Sequence, residues 1–259
     1  MYLQNKGESM DEFEQLGLFD EEYPQYKIDK PIRLIELFAG VGSQSMAMKC
    51  LEVDFESYKA VEFDEPAIRS YNAIHGTSFP TMDVTKTHGE DLGIVDKDKY
   101  CYILFYSFPC TDLSLAGKQA GMSRDSGTRS GLLWEVERIL KELPKEQLPD
   151  VLIMENVPQV HSEKNLTDFE DWILFLRHLG YSNYYGDLNA KDFGVPQNRD
   201  RCFMVSMLGK YDFQFPKTIP LEKVINDVLE EDVEEKYFIR SEKAELLINQ
   251  LIKDGKIEE

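Results

Sequence analysis

The chain has 259 residues, 42% of them hydrophobic, enough for one sizeable core or for one core with a small appendage. Its formal charge of −19 argues against a protein held on nucleic acid by a broadly basic surface, although a local basic cleft stays open. No apolar run approaches the ~18–20 residues that span a membrane, and the N-terminus MYLQNKGESMDEFEQ lacks an apolar secretory segment, so a soluble cytoplasmic protein with no membrane partner is expected.

Residues 1 to about 30 are acidic and lack periodic apolar pattern, which reads as a flexible leader. Organisation begins at Pro31. Ile32 to Phe38 reads as a buried strand, Ala39-Gly40-Val41-Gly42 as a tight turn, and Ser43 to Leu51 as a helix. A second strand ends in Ala60-Val61-Glu62-Phe63-Asp64, and Pro66 suits the first turn of the next helix. Tyr100 to Phe108 is apolar or aromatic apart from Ser107, as a central parallel strand is.

Leu132, Leu133, Val136, Ile139 and Leu140 fall on one helical face, and Val151 to Met154 reads as another buried strand. Thr167-Asp168-Phe169-Glu170 has the form of a capping box, opening a helix that stops at Gly180. Cys202 to Leu208 is the last expected strand; after Pro216 the chain turns acidic, with one helix expected near Leu246 to Ile252. Strands alternating with helices predict an α/β fold, a doubly wound, mostly parallel sheet over residues 31–216, followed by an acidic tail over 217–259.

The four cysteines, Cys50, Cys101, Cys110 and Cys202, form no CxxC pair, and the four histidines show no metal-ligand spacing beside them, so neither a structural disulfide nor a metal site is expected. Cys50, Cys101 and Cys202 lie inside periodic segments and read as small core hydrophobes. Cys110, in Ser107-Phe108-Pro109-Cys110-Thr111 just past a strand, sits where loops carry chemistry. Glu62 follows Gly42 by twenty residues, the spacing at which a carboxylate reaches ribose hydroxyls. Ser45 stands where a third glycine would favour a dinucleotide, which leaves an adenosine-type ligand or a purely structural turn.

Phe38-Ala39-Gly40-Val41-Gly42, Pro109-Cys110, Glu155-Asn156-Val157 and Gln197-Asn198-Arg199-Asp200-Arg201 resemble, in order and spacing, the signatures of the DNA cytosine-C5 methyltransferases. Gly117-Lys118-Gln119-Ala120-Gly121 resembles that family's mobile catalytic loop, and the resemblance covers about residues 32 to 216. It implies a Rossmann-like, S-adenosylmethionine-dependent fold that methylates C5 of cytosine in double-stranded DNA, as restriction–modification enzymes do. It implies Cys110 as the nucleophile that adds to cytosine C6, Glu155 as the group facing the exocyclic amine and N3, and Arg199 and Arg201 as their orienters. The cofactor is then expected against Phe38, Ala39, Gly40, Val41, Gly42, Ser43, Glu62, Phe63, Asp83, Val84, Pro109 and Leu132. The plain alternatives are strand-entry salt bridges for the two arginines and an ordinary turn for Asp83.

The sequence departs from that pattern at three points. Thr111 stands where many members carry glutamine, and Ser107 replaces a common glycine. No Gly-Asn pair of the kind that completes the family's cofactor pocket occurs anywhere, and an acidic tail stands where a target-recognition domain would begin. A second subunit carrying that domain and a truncated chain are the two readings. An RNA cytosine methyltransferase and a non-catalytic adaptor are the functional alternatives. Finally, Gln15-Leu16-Gly17-Leu18-Phe19 resembles the peptide by which bacterial replication and repair proteins dock on the sliding clamp, in a bacterial or phage-infected cell.

Overall fold

The computed structural model describes residues 23–110, 113, 121–124, 128 and 130–257. The clamp-like Gln15–Phe19, Thr111 and residues 117–120 of the loop resemblance lie outside the described residues.

Six strands form one sheet: β1 (Ile32–Leu37), β2 (Phe55–Val61), β3 (Cys101–Tyr106), β4 (Val151–Asn156), β5 (Tyr181–Asn189) and β6 (Asp200–Leu208). Their order is β2-β1-β3-β4-β6-β5. The first four are parallel, β6 runs antiparallel to β4, and β5 antiparallel to β6. The sheet is thus mostly parallel, and the chain reverses its direction of winding between β1 and β3. In such sheets a crevice opens at the carboxyl ends of the strands where the order reverses. β3 shows why it sits centrally, since Cys101 to Leu104 and Tyr106 are buried and both faces are covered.

The helices are α1 (Ser43–Cys50), α2 (Glu65–His75), α3 (Leu133–Glu142), α4 (Leu166–Leu179) and α5 (Glu242–Lys253). Asp64 caps α2, its carboxylate accepting from the Ala67 N–H, and Pro66 occupies the first turn, where a missing donor costs nothing. α3 buries the predicted Leu133, Val136, Ile139 and Leu140, against a core that also holds Leu104, Tyr106 and Leu152. Trp172 of α4 is buried in the same core and donates its indole N–H to the Tyr106 hydroxyl at 3.0 Å.

The expected capping box at Thr167 does not form. α4 begins at Leu166 with Asn165 at its N-cap, so Thr167 is already inside the helix, whereas the stop at Gly180, left-handed at φ 99°, is as predicted. Cys50 is a second correction: it is exposed at the end of α1, while Cys101 and Cys202 are buried as expected. Strand β5 was not anticipated. At the other end of the chain, Tyr26 stacks edge-on against Tyr211 at 4.8 Å, and residues 23–30 run along the domain beside the bridge Gln25–Asp212.

Candidate active site

The loop after β1 turns on two left-handed residues before helix α1, Phe38 at φ 59° and Gly40 at φ 55°. Gly42 follows at φ 82°, and a Cβ there would come within 2.3 Å of His75 Nε2 and 2.6 Å of Tyr71, so only glycine fits. Ser45, in place of a third glycine, is fully buried and donates to Glu36 Oε2 at 2.6 Å. Tyr71 donates to the same oxygen, and the serine hydroxyl also meets Ser57 at 2.9 Å. A polar knot therefore clamps α1 and α2 to β1 where the dinucleotide pattern would use bare backbone. Burial pushes the Glu36 carboxyl up from its usual range, against the pull of its hydroxyl donors.

Glu62 lies just beyond β2 rather than within it. One carboxylate oxygen accepts the Gly40 N–H at 2.9 Å and the other the Asp64 N–H at 2.9 Å. Two backbone donors thus fix the carboxylate, and its remaining lone pairs are free for a ligand. It faces a cavity of 320 Å³ lined by Phe38, Val61, Glu62, Phe63, Met82, Asp83, Val84, Pro109 and Leu132. Asp83 Oδ1 accepts both the hydroxyl (2.8 Å) and the N–H (3.0 Å) of Thr85, and these bonds hold its carboxyl below the usual range.

The structure thus brings Phe38, Glu62, Phe63, Asp83, Val84, Pro109 and Leu132 to one cavity. Ala39, Gly40, Val41, Gly42 and Ser43 do not line it: Ala39 is buried, Val41 and Ser43 face solvent, and Gly40 reaches the site through its bond to Glu62. Val61 and Met82 line the cavity without having been singled out; Met82 is the neighbour of Asp83 and its N–H is bonded to the Glu62 carbonyl at 2.8 Å.

Cys110 is half-buried and follows Pro109 of the cavity wall. Its loop is pinned from two sides. Ser130 donates its hydroxyl to the Pro109 carbonyl at 2.8 Å, and the buried Asn156 donates its amide to the Phe108 carbonyl at 3.0 Å. The buried thiols differ in kind: burial pushes Cys101 up to about 11 and Cys202 higher still, so both are protonated at neutral pH.

Glu155 sits at the end of β4, beside Asn156. Arg201 Nε lies 2.8 Å from Glu155 Oε1, and Arg199 Nη2 lies 3.8 Å from the same oxygen. Asn189, a buried residue that was not singled out, sets this segment: its amide donates to Asn198 Oδ1 and to Asp200 Oδ1, each at 2.7 Å, and its oxygen accepts the Arg199 N–H at 3.2 Å. Cavity, half-buried thiol and arginine-held carboxylate thus follow one another along the carboxyl edge of β2, β1, β3 and β4. Among the described residues no helix is long and apolar enough to cross a membrane.

A Rossmann-like sheet with a nucleoside-sized crevice at its switch point, a carboxylate at the second strand end and a cysteine loop beyond β3 defines an S-adenosylmethionine-dependent methyltransferase class. The family model for C-5 cytosine-specific DNA methylase matches residues 32–256. The type II methyltransferase M2.ScrFI of Lactococcus lactis subsp. cremoris is 33% identical, over 81% of this chain and 71% of that protein. The orphan methyltransferase M.SssI of Spiroplasma monobiae is 34% identical, over 80% and 67%. Among solved structures, S. pombe Dnmt2 methyltransferase superposes with a TM-score of 0.66 at 20% identity, covering 85% of this chain and 66% of that one, which speaks to the fold. The chain belongs to the C-5 cytosine-specific DNA methylase family, S-adenosylmethionine-dependent transferases of DNA methylation and of type II restriction–modification. It spans about two thirds of the length of these relatives.

Proposed function

We propose that this chain binds S-adenosylmethionine in the Glu62 cavity and forms a covalent Cys110 adduct with cytosine of double-stranded DNA. The observation that carries the reading is the row of cavity, Cys110 loop and Glu155–Arg201 pair on one sheet edge. The cavity suits a nucleoside: a fixed carboxylate for the ribose hydroxyls, a second acid at Asp83 for the base, and the exposed ring of Phe63 with Pro109 and Leu132 as apolar walls.

When bound, the cofactor supplies an electrophilic methyl group. Cytosine C5 is a poor nucleophile until a group adds at C6. The Cys110 thiolate gives its electron pair to C6, a C–S bond forms, and the displaced ring electrons leave C5 enamine-like. Glu155, oriented by Arg201, faces the exocyclic amine and the protonated N3 and stabilises the adduct. After the methyl group is in place on C5, the C5 proton passes to solvent, and the electrons of that C–H bond re-form the C5–C6 double bond and expel the thiolate. The base reaches the thiol by flipping out of the duplex, at a cost of a few kcal/mol. That cost has to be met by a surface that grips DNA, which a chain of charge −19 does not supply through a broadly basic face.

The test is incubation with methyl-labelled S-adenosylmethionine and mixed-sequence double-stranded DNA, with tRNA in parallel, alone and with the neighbouring gene product. Label in DNA as 5-methylcytosine is expected. Label in tRNA alone would move the substrate to RNA, and cofactor binding with no transfer under any condition would leave an adaptor.

A further inference from the structure

We propose that His161, Asp187 and Cys202 form a binding site for one divalent cation of the zinc class. The inference is independent of the methyl-transfer reading, and linear spacing could not reveal it, because the three residues come from three elements. His161 closes the short 3-10 helix Pro158–His161 that follows β4. Asp187 and Cys202 are direct partners across the β5–β6 ladder, so their side chains share a face.

One ligand atom from each residue lies within 4.8 Å of the others. His161 Nε2 is 2.9 Å from Asp187 Oδ1 and 3.1 Å from Oδ2. A tetrahedral zinc ion with bonds of about 2.0–2.3 Å holds its donors roughly 3–4 Å apart, so small side-chain rotations complete the set. The donors are one imidazole nitrogen, one carboxylate oxygen and one sulfur, a mixture that suits zinc and not magnesium or calcium.

The surroundings separate this cluster from an exposed acidic patch. Cys202 is fully buried and lies at the base of the cluster. Asp187 opens onto a cavity of 410 Å³ whose wall also includes Gln159, Asp200 and Arg201, which gives the ion a way in and a water its fourth position. The rings of Tyr185 and Phe169, with centroids 5.6 Å and 6.0 Å from that of His161, hold the imidazole in place. On binding, a metal–sulfur bond forms as the Cys202 S–H bond breaks, and its proton passes to solvent. The ion would tie the helix after β4 to the strand that carries Arg201.

The experiment uses the full chain, stripped with chelator and reloaded with zinc chloride or cobalt chloride. The expected result is one zinc retained per chain after gel filtration, a cobalt–thiolate charge-transfer band, and a zinc-dependent rise in melting temperature. Asp187→Asn and His161→Ala should weaken zinc binding by about tenfold or more. Cys202→Ser should remove the cobalt–thiolate band, whereas Cys110→Ser should keep it. If Cys202→Ser does not fold, the surface variant Asp187→Asn decides. Substoichiometric zinc in the parent chain, unchanged affinity in Asp187→Asn, or a band that disappears in Cys110→Ser would each overturn the site.

Discussion

The side-chain amide of Asn156 donates to the carbonyl of Phe108 at 3.0 Å, and this bond joins the strand end that carries Glu155 to the loop that carries Cys110. The Asn156 oxygen also accepts the Val157 N–H at 2.8 Å, so the amide is oriented by its own backbone. Asn156→Ala leaves the Phe108 carbonyl unpaired in a buried setting, a loss of about 1–3 kcal/mol. Urea unfolding should show that loss, and methyl transfer should fall further than binding of S-adenosylmethionine. Equal losses in both would mean that Asn156 supports the whole edge and not the thiol loop in particular.

Cys110 is expected to be the sole covalent nucleophile. DNA carrying 5-fluorocytosine blocks the final elimination, so an active assembly should become trapped on it. Cys110→Ser should abolish the trapped species on a denaturing gel. Cys50→Ser should trap normally because that thiol is exposed at the far end of α1, and Cys101→Ala because its sulfur is buried. A trapped band in Cys110→Ser would refute the mechanism.

The Glu62 carboxylate holds two backbone N–H groups as well as facing the cavity, so truncation to alanine would disturb the loop along with the ligand. Glu62→Gln is the sharper variant, since it keeps one acceptor oxygen and removes the charge. Charge-assisted bonds to hydroxyls contribute about 1.5–3 kcal/mol, so calorimetry should show S-adenosylmethionine binding weakened by roughly 10- to 100-fold, with a smaller fall in melting temperature than in Glu62→Ala because one of the two backbone N–H groups keeps its acceptor. Unchanged affinity would remove Glu62 from the ligand.

Legibility in the sequence followed burial. β1, β3 and β4 are near-continuous apolar runs and could be read directly. β5 could not, because Tyr181–Asn189 is an edge strand rich in Ser, Asn, Gly and Asp and shows neither an apolar run nor clean alternation. The carboxyl-edge residues Glu62 and Cys110 were legible through motif spacing. Asn189 was not, because an isolated asparagine that orders a neighbouring segment through three hydrogen bonds leaves no periodic trace. Thr167 misled for a related reason: Thr-x-x-Glu fits a capping box, but with Phe169 and Trp172 buried the helix starts two residues earlier, at Leu166.

Glu137 of α3 links stability to pH. Burial pushes its carboxyl up, but hydrogen bonds from Arg124 and from Lys141 (2.7 Å) more than offset this and hold it below the usual range. A carboxyl depressed in the folded state stabilises the fold above its unfolded value of about 4.3 and loses that contribution as the pH falls through the folded value. Glu137→Gln should therefore lower stability at neutral pH by about 1–3 kcal/mol and flatten the acid limb below about pH 5. Parallel unfolding curves for parent and variant across that range would refute the assignment.

The insertion of β6 between β4 and β5 has a consequence for how the molecule comes into being. β5 leaves the ribosome before β6, the strand it pairs with, and the seat beside β4 stays vacant until Leu208 has been made. Until then the Glu155 carboxylate has neither arginine, and a polar strand waits beside an uncovered sheet edge. Assembly of this edge is bound to be late and long-range, the slow regime of folding. Nascent chains released before residue 208 should therefore be captured by chaperones, whereas chains released a few residues later should escape them.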